Sequence, residues 1–377
     1  MPTAGTRAGA ALLERAPESI CLLRLSAIGD TCHVVPLVRT LQAAWPQARL
    51  TWVIGKLESR LMSLLPNVEF ITVDKRAGWR ALLALRRELR GRDFDVLLHM
   101  QLAVRASLAA SVIRAHVRLG FDRARARELQ WLVTNAQVAR REREHVLDSF
   151  MGFAAALGVE EPVLSWDLPL PPAAIDYATQ LVPEDSRALP GTLVVSPCSS
   201  HACRNWTVEG YARAAEHAAR TLGMRVILAG GPSELEQVTG AAIERACNAP
   251  IVNQIGKDTL PQLLALLQRS SVLLTPDSGP AHMATMVGTP VIGLYAATNP
   301  ARSGPYLSRR WCIDAFGEAA QHYLGKSPEQ LPWQQKIERP GVMELIQPER
   351  VTAMLDAFAA ALQRAGGRKH HLLASSP

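Results

Sequence analysis

Residues 273–295 read LLTPDSGPAHMATMVGTPVIGLY. Val272, Leu273 and Leu274 form a short apolar run with the length of a buried strand, and Thr275-Pro276 stops it. Asp277, Ser278, Gly279 and Pro280 make a tight polar turn. An apolar helical run follows, with His282 near its start, and Gly288-Thr289-Pro290 closes it. Residues 291–295, VIGLY, read as a second strand. Strand, turn, helix and strand make one βαβ unit. Its turn lies where a strand ends and a helix begins. Open α/β sheets bind ligands at such edges, and helix N-termini favour phosphate. The plainer reading is that Asp277 or Ser278 only caps the helix.

The same alternation runs outward from this unit. Upstream, a strand at 193–195, a helix at 208–222, a strand at 225–229, a helix at 233–247, a short strand at 251–253 and a helix at 260–270 follow one another. A proline-rich stretch over 162–190 precedes them. Before it lies a similar series, with strands at 20–25, 50–54, 70–73, 95–99 and 117–120. Helices at 31–44, 78–91, 104–113 and 145–157 are interleaved. Residues 121–137, FDRARARELQWLVTNAQ, break the rhythm and read as an excursion from the sheet. Residues 348–364 form an amphipathic helix. Two α/β halves joined by a linker predict two doubly wound parallel sheets.

A length of 377 residues suits two domains. Hydrophobic residues make up 48% and charged residues 20%, values typical of a globular chain. No apolar run reaches the ~18 residues of a spanning helix, and the N-terminus lacks the long apolar region of an export signal. The six cysteines are scattered with no Cys-x-x-Cys pair, which favours reduced thiols over disulfides or a zinc site. The net charge of +7 favours an anionic partner without choosing among nucleotide, phosphorylated glycan, membrane surface and nucleic acid. Aromatic residues are 5%, too few for a base-stacking platform, and no helix-turn-helix pattern is present.

Four loops carry candidate chemistry. RLSAIGD at 24–30 joins the first strand to the first helix and places Asp30 at the helix N-terminus. There a carboxylate can cap, or can stay ionised as a general base. The turn is not Gly-x-Gly-x-x-Gly, so the dinucleotide fingerprint is absent. SPCSSHACRNW at 196–206 offers Ser199, Ser200 and Arg204 ahead of a helix, a set that suits a diphosphate. GGPSE at 230–234 places Glu234 where it can accept from ribose hydroxyls or complement a helix dipole. TPDSGPAHMA at 275–284 supplies Asp277, Ser278, Gly279 and His282. Lys75, Arg76, Arg80 and Arg123 are the basic material of the first half. Metalloprotease, P-loop and serine-hydrolase signatures are missing.

In this order and spacing the four loops resemble the ADP-heptose:lipopolysaccharide heptosyltransferases, glycosyltransferase family 9, over residues 20–362. The resemblance implies a GT-B architecture: two facing Rossmann-like domains with an interdomain cleft. It implies Asp30 as general base, and Ser199, Ser200, Arg204, Glu234, Asp277, Ser278, Gly279 and His282 on an ADP-sugar donor. Family members often carry Lys where this chain has Arg204. Lys75, Arg76, Arg80 and Arg123 are then implied on a phosphorylated lipopolysaccharide core acceptor. No metal or other cofactor is implied beyond ADP-heptose as donor substrate, and no nucleic acid. The implied location is the cytoplasm, peripheral at the inner face of the inner membrane. The expected layout is a flexible leader over 1–18, an acceptor domain over 19–170, a linker over 171–191 and a nucleotide-sugar domain over 192–347. A helix over 348–366 then crosses back to the first domain, and a disordered tail covers 367–377. The alternatives are another sugar nucleotide or acceptor on the same architecture, or an inactive nucleotide-sugar-binding protein.

Overall fold

The computed structural model describes residues 12–183 and 190–373. Parts of the expected leader, linker and tail (1–11, 184–189 and 374–377) lie outside them. The chain divides into two compact units, 12–142 with 147–166, and 143–146 with 167–373.

In the first unit the elements run β1 (Ser19–Leu23), α1 (Ile28–Ala44), β2 (Arg49–Gly55), α2 (Lys56–Met62), β3 (Val68–Val73), α3 (Trp79–Glu88), β4 (Asp93–His99), α4 (Val104–Val112), β5 (Arg114–Gly120), β6 (Ala136–Gln137) and α5 (Val146–Ala156). The sheet order is β3-β2-β1-β4-β5-β6, all parallel. Leu22 and Leu23 of β1 are fully buried, as expected of a central strand covered on both faces. The excursion at 121–137 is not wholly outside the sheet. It returns as β6, with Ala136 opposite Leu119.

The second unit repeats the plan with α6 (Pro172–Leu181), β7 (Thr192–Val195), α7 (Val208–Arg220), β8 (Arg225–Leu228), α8 (Glu234–Ala246), β9 (Val252–Asn253), α9 (Leu260–Arg269), β10 (Val272–Pro276), α10 (Gly279–Met286), β11 (Val291–Tyr295), α11 (Pro300–Ser303), β12 (Ile313–Asp314), α12 (Phe316–Leu324) and α13 (Pro348–Arg364). Its order is β12-β11-β10-β7-β8-β9, again all parallel. In each sheet the first strand lies between its second and fourth. That is the Rossmann order, and the crevice beside the first strand is its binding edge.

Three expected boundaries change. The helix α6, inside the expected linker, packs along α9 and belongs to the second unit. The helix α13 turns Val351, Leu355, Phe358 and Leu362 into the core of the second unit, where Phe358 meets Trp311 edge-on with 5.3 Å between ring centroids. Its apolar stripe is therefore buried in its own unit. Part of the expected disordered tail is ordered: Lys369–Leu372 form a 3-10 turn, and Leu372 is buried in the core of the second unit. Lys369 Nζ donates to the carbonyls of Gln268 and Ser270 at 2.6 Å each and to Thr289 Oγ1 at 2.8 Å. A cation on carbonyls at the end of α9 complements that helix's negative terminus.

Candidate active site

At the binding edge of the first sheet, β1 ends and the chain turns through Arg24–Asp30 into α1. Asp30 occupies the third position of the helix, where its carboxylate accepts from the Ala27 N–H at 3.3 Å. The Arg24 guanidinium ion-pairs with the same oxygen, donates to the Met100 carbonyl, and lies 5.2 Å from the Phe150 ring centre. The Asp30 side chain is 34% exposed. It combines a helix N-terminus, one fixed cation and an open side toward solvent. The carboxylate is thus anchored on one side and reachable from solvent on the other.

Two polar residues at the end of β4 and just after it lie beside this loop. Gln101 accepts from the Leu25 N–H at 2.7 Å and donates to Ser26 Oγ at 3.1 Å. His99, at the end of β4, is fully buried with neither ring nitrogen hydrogen-bonded. Burial, then the charges of Arg118 and Arg24, push its pKa down to about 3, so it is neutral at physiological pH.

The expected acceptor residues follow the ends of β3 and β5, on the same edge as Asp30 because all strands are parallel. Lys75 Nζ is held by buried Glu58 at 2.8 and 3.0 Å and reaches the Leu25 carbonyl at 3.4 Å. Its charge is thus committed to a buried carboxylate. An added Cβ on Gly55 would stand 2.3 Å from Glu58 Oε2, so only glycine admits this pair. Arg76 and Arg80 are exposed at the start of α3. Arg123 is exposed in the excursion, its guanidinium 4.6 Å from the Trp131 ring centre.

At the binding edge of the second sheet, the loops after β7 and β10 come together. Arg204 donates through Nε (2.9 Å) and Nη2 (2.7 Å) to Glu338 Oε1, and through Nη1 (3.3 Å) to Asp277. Its side chain is 12% exposed. Burial works against the Glu338 carboxylate, but the hydrogen bonds and charge of Arg204 outweigh it and hold its pKa below the usual value. Ser199 is buried, donating its N–H to Asn205 Oδ1 at 2.7 Å and accepting from the His201 N–H at 3.2 Å. Ser200 is exposed beside the His201 ring.

Ser278 stands at the N-cap of α10 but does not cap it. Its hydroxyl pairs with Thr275 Oγ1 at 2.8 Å, and Thr275 donates in turn to the Ser196 carbonyl. This ties the two loops together and leaves the first turn of α10, from Gly279 to buried His282, without a side-chain cap from Ser278. An uncapped helix start is suited to an anion.

Glu234 is exposed at the first position of α8. The carboxylate that faces the glycine turn is Glu236, which accepts from the Gly231 N–H at 2.7 Å and from Ser233 Oγ at 2.6 Å. A Cβ on Gly231 would lie 2.9 Å from Glu236 Oε2, so the glycine permits that approach. Asp258, between β9 and α9, is mostly buried with Oδ2 unbonded. Burial raises its pKa to about 7, with the Glu236 charge adding to the rise.

Glu236, Glu338, Gln101 and Asp258 were not among the expected site residues. Only Glu236 left a readable signal, the Ser-x-x-Glu spacing from Ser233.

Comparison with known proteins agrees with this layout. Residues 82–333 match the model of glycosyltransferase family 9 (heptosyltransferase). The chain is 40% identical to the lipopolysaccharide core heptosyltransferase OpsX of Haemophilus influenzae, over 91% of this chain and 98% of that protein. The glycosyl transferase family 9 structure from Veillonella parvula superposes with a TM-score of 0.76 at 22% identity, over 93% of this chain and all of that one. E. coli heptosyltransferase WaaC, solved with ADP, superposes with a TM-score of 0.69 at 18% identity, over 90% and 99%. These last two show the GT-B fold. Two Rossmann sheets with polar loops at their binding edges, the family match and the near full-length relative together place this chain in glycosyltransferase family 9, the heptosyltransferases.

Proposed function

We propose that this protein transfers a heptose from ADP-heptose to the inner core, the Kdo/heptose region, of lipopolysaccharide, with inversion at the anomeric carbon and without a metal. The observation that carries the reading is the 40% identity to a lipopolysaccharide core heptosyltransferase over nearly its whole length. The acceptor is a lipid-linked glycan, so the reading places the enzyme at the cytoplasmic face of the inner membrane.

In this reading the second unit holds the donor. Ser199, Ser200 and the start of α10 receive the diphosphate, with Arg204 swinging part of its charge from Glu338 to the phosphates. The ribose lies toward the Gly230-Gly231 turn, where Glu236 is better placed than Glu234 to order the loop. The first unit supplies Asp30, which takes the proton of the acceptor hydroxyl as its oxygen attacks. Positive charge then builds on the sugar and negative charge on the departing ADP, as in other glycosyl transfers. Arg204 and the helix start are the stabilisers of that leaving group. Of the expected acceptor residues, Arg76, Arg80 and Arg123 are the ones with exposed charge, while Lys75 holds the Glu58 corner in place.

The test is a donor screen with purified truncated core acceptors in the presence of EDTA. Released ADP and the new linkage are read together. ADP release that needs both ADP-heptose and a heptose-lacking core, giving an inverted linkage, is the expected result. Transfer from a different nucleotide sugar, or loss of turnover in EDTA, would replace this reading.

A further inference from the structure

Large apolar side chains exposed to solvent concentrate on one side of the first unit. Trp79 and Leu83, one turn apart on α3, are 68% and 42% exposed, Leu108 on α4 is 52%, and Trp131 in the excursion is 42%. These elements adjoin one another. The helices α3 and α4 pack side by side. The excursion is fastened to the start of α4 by Glu128, which accepts from the Val104 N–H at 2.8 Å and, through its carbonyl, from Ser107 Oγ at 3.0 Å. Glu128 and Leu129 follow one another at φ 50° and 66°, an unfavourable backbone for such residues. Leu129 is 50% exposed.

Arginines are interleaved with these residues. Residues 76–90 hold five arginines against one glutamate. Arg80 lies 5.7 Å from the Trp79 ring and Arg123 4.6 Å from the Trp131 ring. Two acidic groups of the excursion are already engaged: Glu128 accepts from the Val104 N–H, and Asp122 pairs with Arg125. Tryptophan under arginine, with leucine beside it, is the composition of a surface that lies in the headgroup layer of a bilayer. The N-terminal ends of α3 and α4 and the excursion all follow strand ends, so this surface borders the sheet edge that carries Asp30.

We propose that the α3–α4–excursion surface of the first unit seats on an anionic phospholipid bilayer, with Trp79, Leu83, Leu108 and Trp131 entering the headgroup layer and Arg86 and Arg87 binding its charge. This deepens the reading above and rests on it for purpose: a lipid-linked acceptor would arrive at Asp30 from the membrane side. The docking itself needs only the surface.

The experiment floats the full chain with vesicles of phosphatidylcholine alone or with about one third phosphatidylglycerol. Binding to the anionic vesicles only, weakened but not abolished by salt, is expected. Trp79→Ser with Trp131→Ser, and separately Arg86→Glu with Arg87→Glu, should each weaken it about tenfold or more. Turnover on a soluble, delipidated acceptor should stay unchanged in the Arg86/Arg87 variant, which also reports that it folds, while an unchanged melting temperature reports folding of the tryptophan variant. Equal binding to neutral and anionic vesicles, no vesicle binding, or binding unaffected by the substitutions would overturn the proposal. So would self-association through this face, seen by light scattering and lost in the tryptophan variant. Vesicle binding without heptosyl transfer would leave the docking standing and sink the functional reading. Transfer without vesicle binding would do the reverse.

Discussion

The two binding edges share a topology and differ in how they use an arginine. In the first unit Arg24 serves one carboxylate, Asp30, which remains a third exposed at a helix start. In the second unit Arg204 is shared by Asp277 and Glu338 and is itself mostly enclosed. One cation on one part-exposed carboxylate leaves that carboxylate fixed and reachable. One cation between two carboxylates makes a charge that is held in reserve. A dianionic phosphate can draw it away because Glu338 lies nearer the surface than Asp277. On the proposed function, the same fold would support a base at one edge and a leaving-group site at the other, the two edges differing in the carboxylates that hold each guanidinium.

The largest expected effect breaks the first half of this comparison. Asp30→Asn keeps the size of the side chain and removes the proton acceptor. Turnover should fall by about 10³ or more under saturating substrates, since the loss combines base catalysis with positioning. Initial rates of ADP release measure it, and near-normal rates would remove Asp30 from the chemistry.

Next is Arg204→Ala. It takes away the cation and strands two carboxylates beside the phosphates. A fall of about 10² in kcat/KM, mostly through the donor, is expected. Arg204→Lys should recover much of it, because a point charge still meets the diphosphate although the fork is lost. Glu338→Gln sharpens the same comparison from the other side. With one competitor gone, ADP should bind a few-fold tighter by calorimetry. Weaker binding would mean that Glu338 positions Arg204 rather than holding it back.

The smallest effect concerns Asp258, whose pKa is raised to about 7 from an ordinary value near 4. The folded state keeps its proton where the unfolded chain has lost it. Its cost to stability is therefore absent below about pH 4, grows between pH 4 and pH 7, and is full above. Asp258→Asn should raise the melting temperature by a few degrees at pH 8 and leave it unchanged near pH 4. An equal shift at both values would show that the carboxyl does not titrate there.

Much of this was legible in the chain. The alternation of apolar runs and amphipathic segments predicts both Rossmann halves, because strands buried on both faces leave short uniform runs bounded by glycine and proline. The four loops were legible for the same reason, as breaks between such runs. What the sequence hid is partnership across distance. Nothing near Arg204 announces Glu338, 134 positions away. Lys75 reads as an available cation until Glu58, on a neighbouring element, is seen to hold it. Ser278 has the spacing of a cap, yet Thr275 competes for its hydroxyl and wins. The Ser233 spacing marks Glu236, at the third helical position, as the acid that turns back onto the cap. The amphipathic stripe of α13 tells that it is buried but not against which unit.

The measurement that tests the division of labour most directly is the affinity of Asp30→Asn for ADP, by calorimetry on the purified full chain. If the first unit supplies the base and the second holds the nucleotide, the dissociation constant stays within about twofold of wild type while turnover is lost. A dissociation constant weakened about tenfold or more would place Asp30 in nucleotide binding and contradict the account.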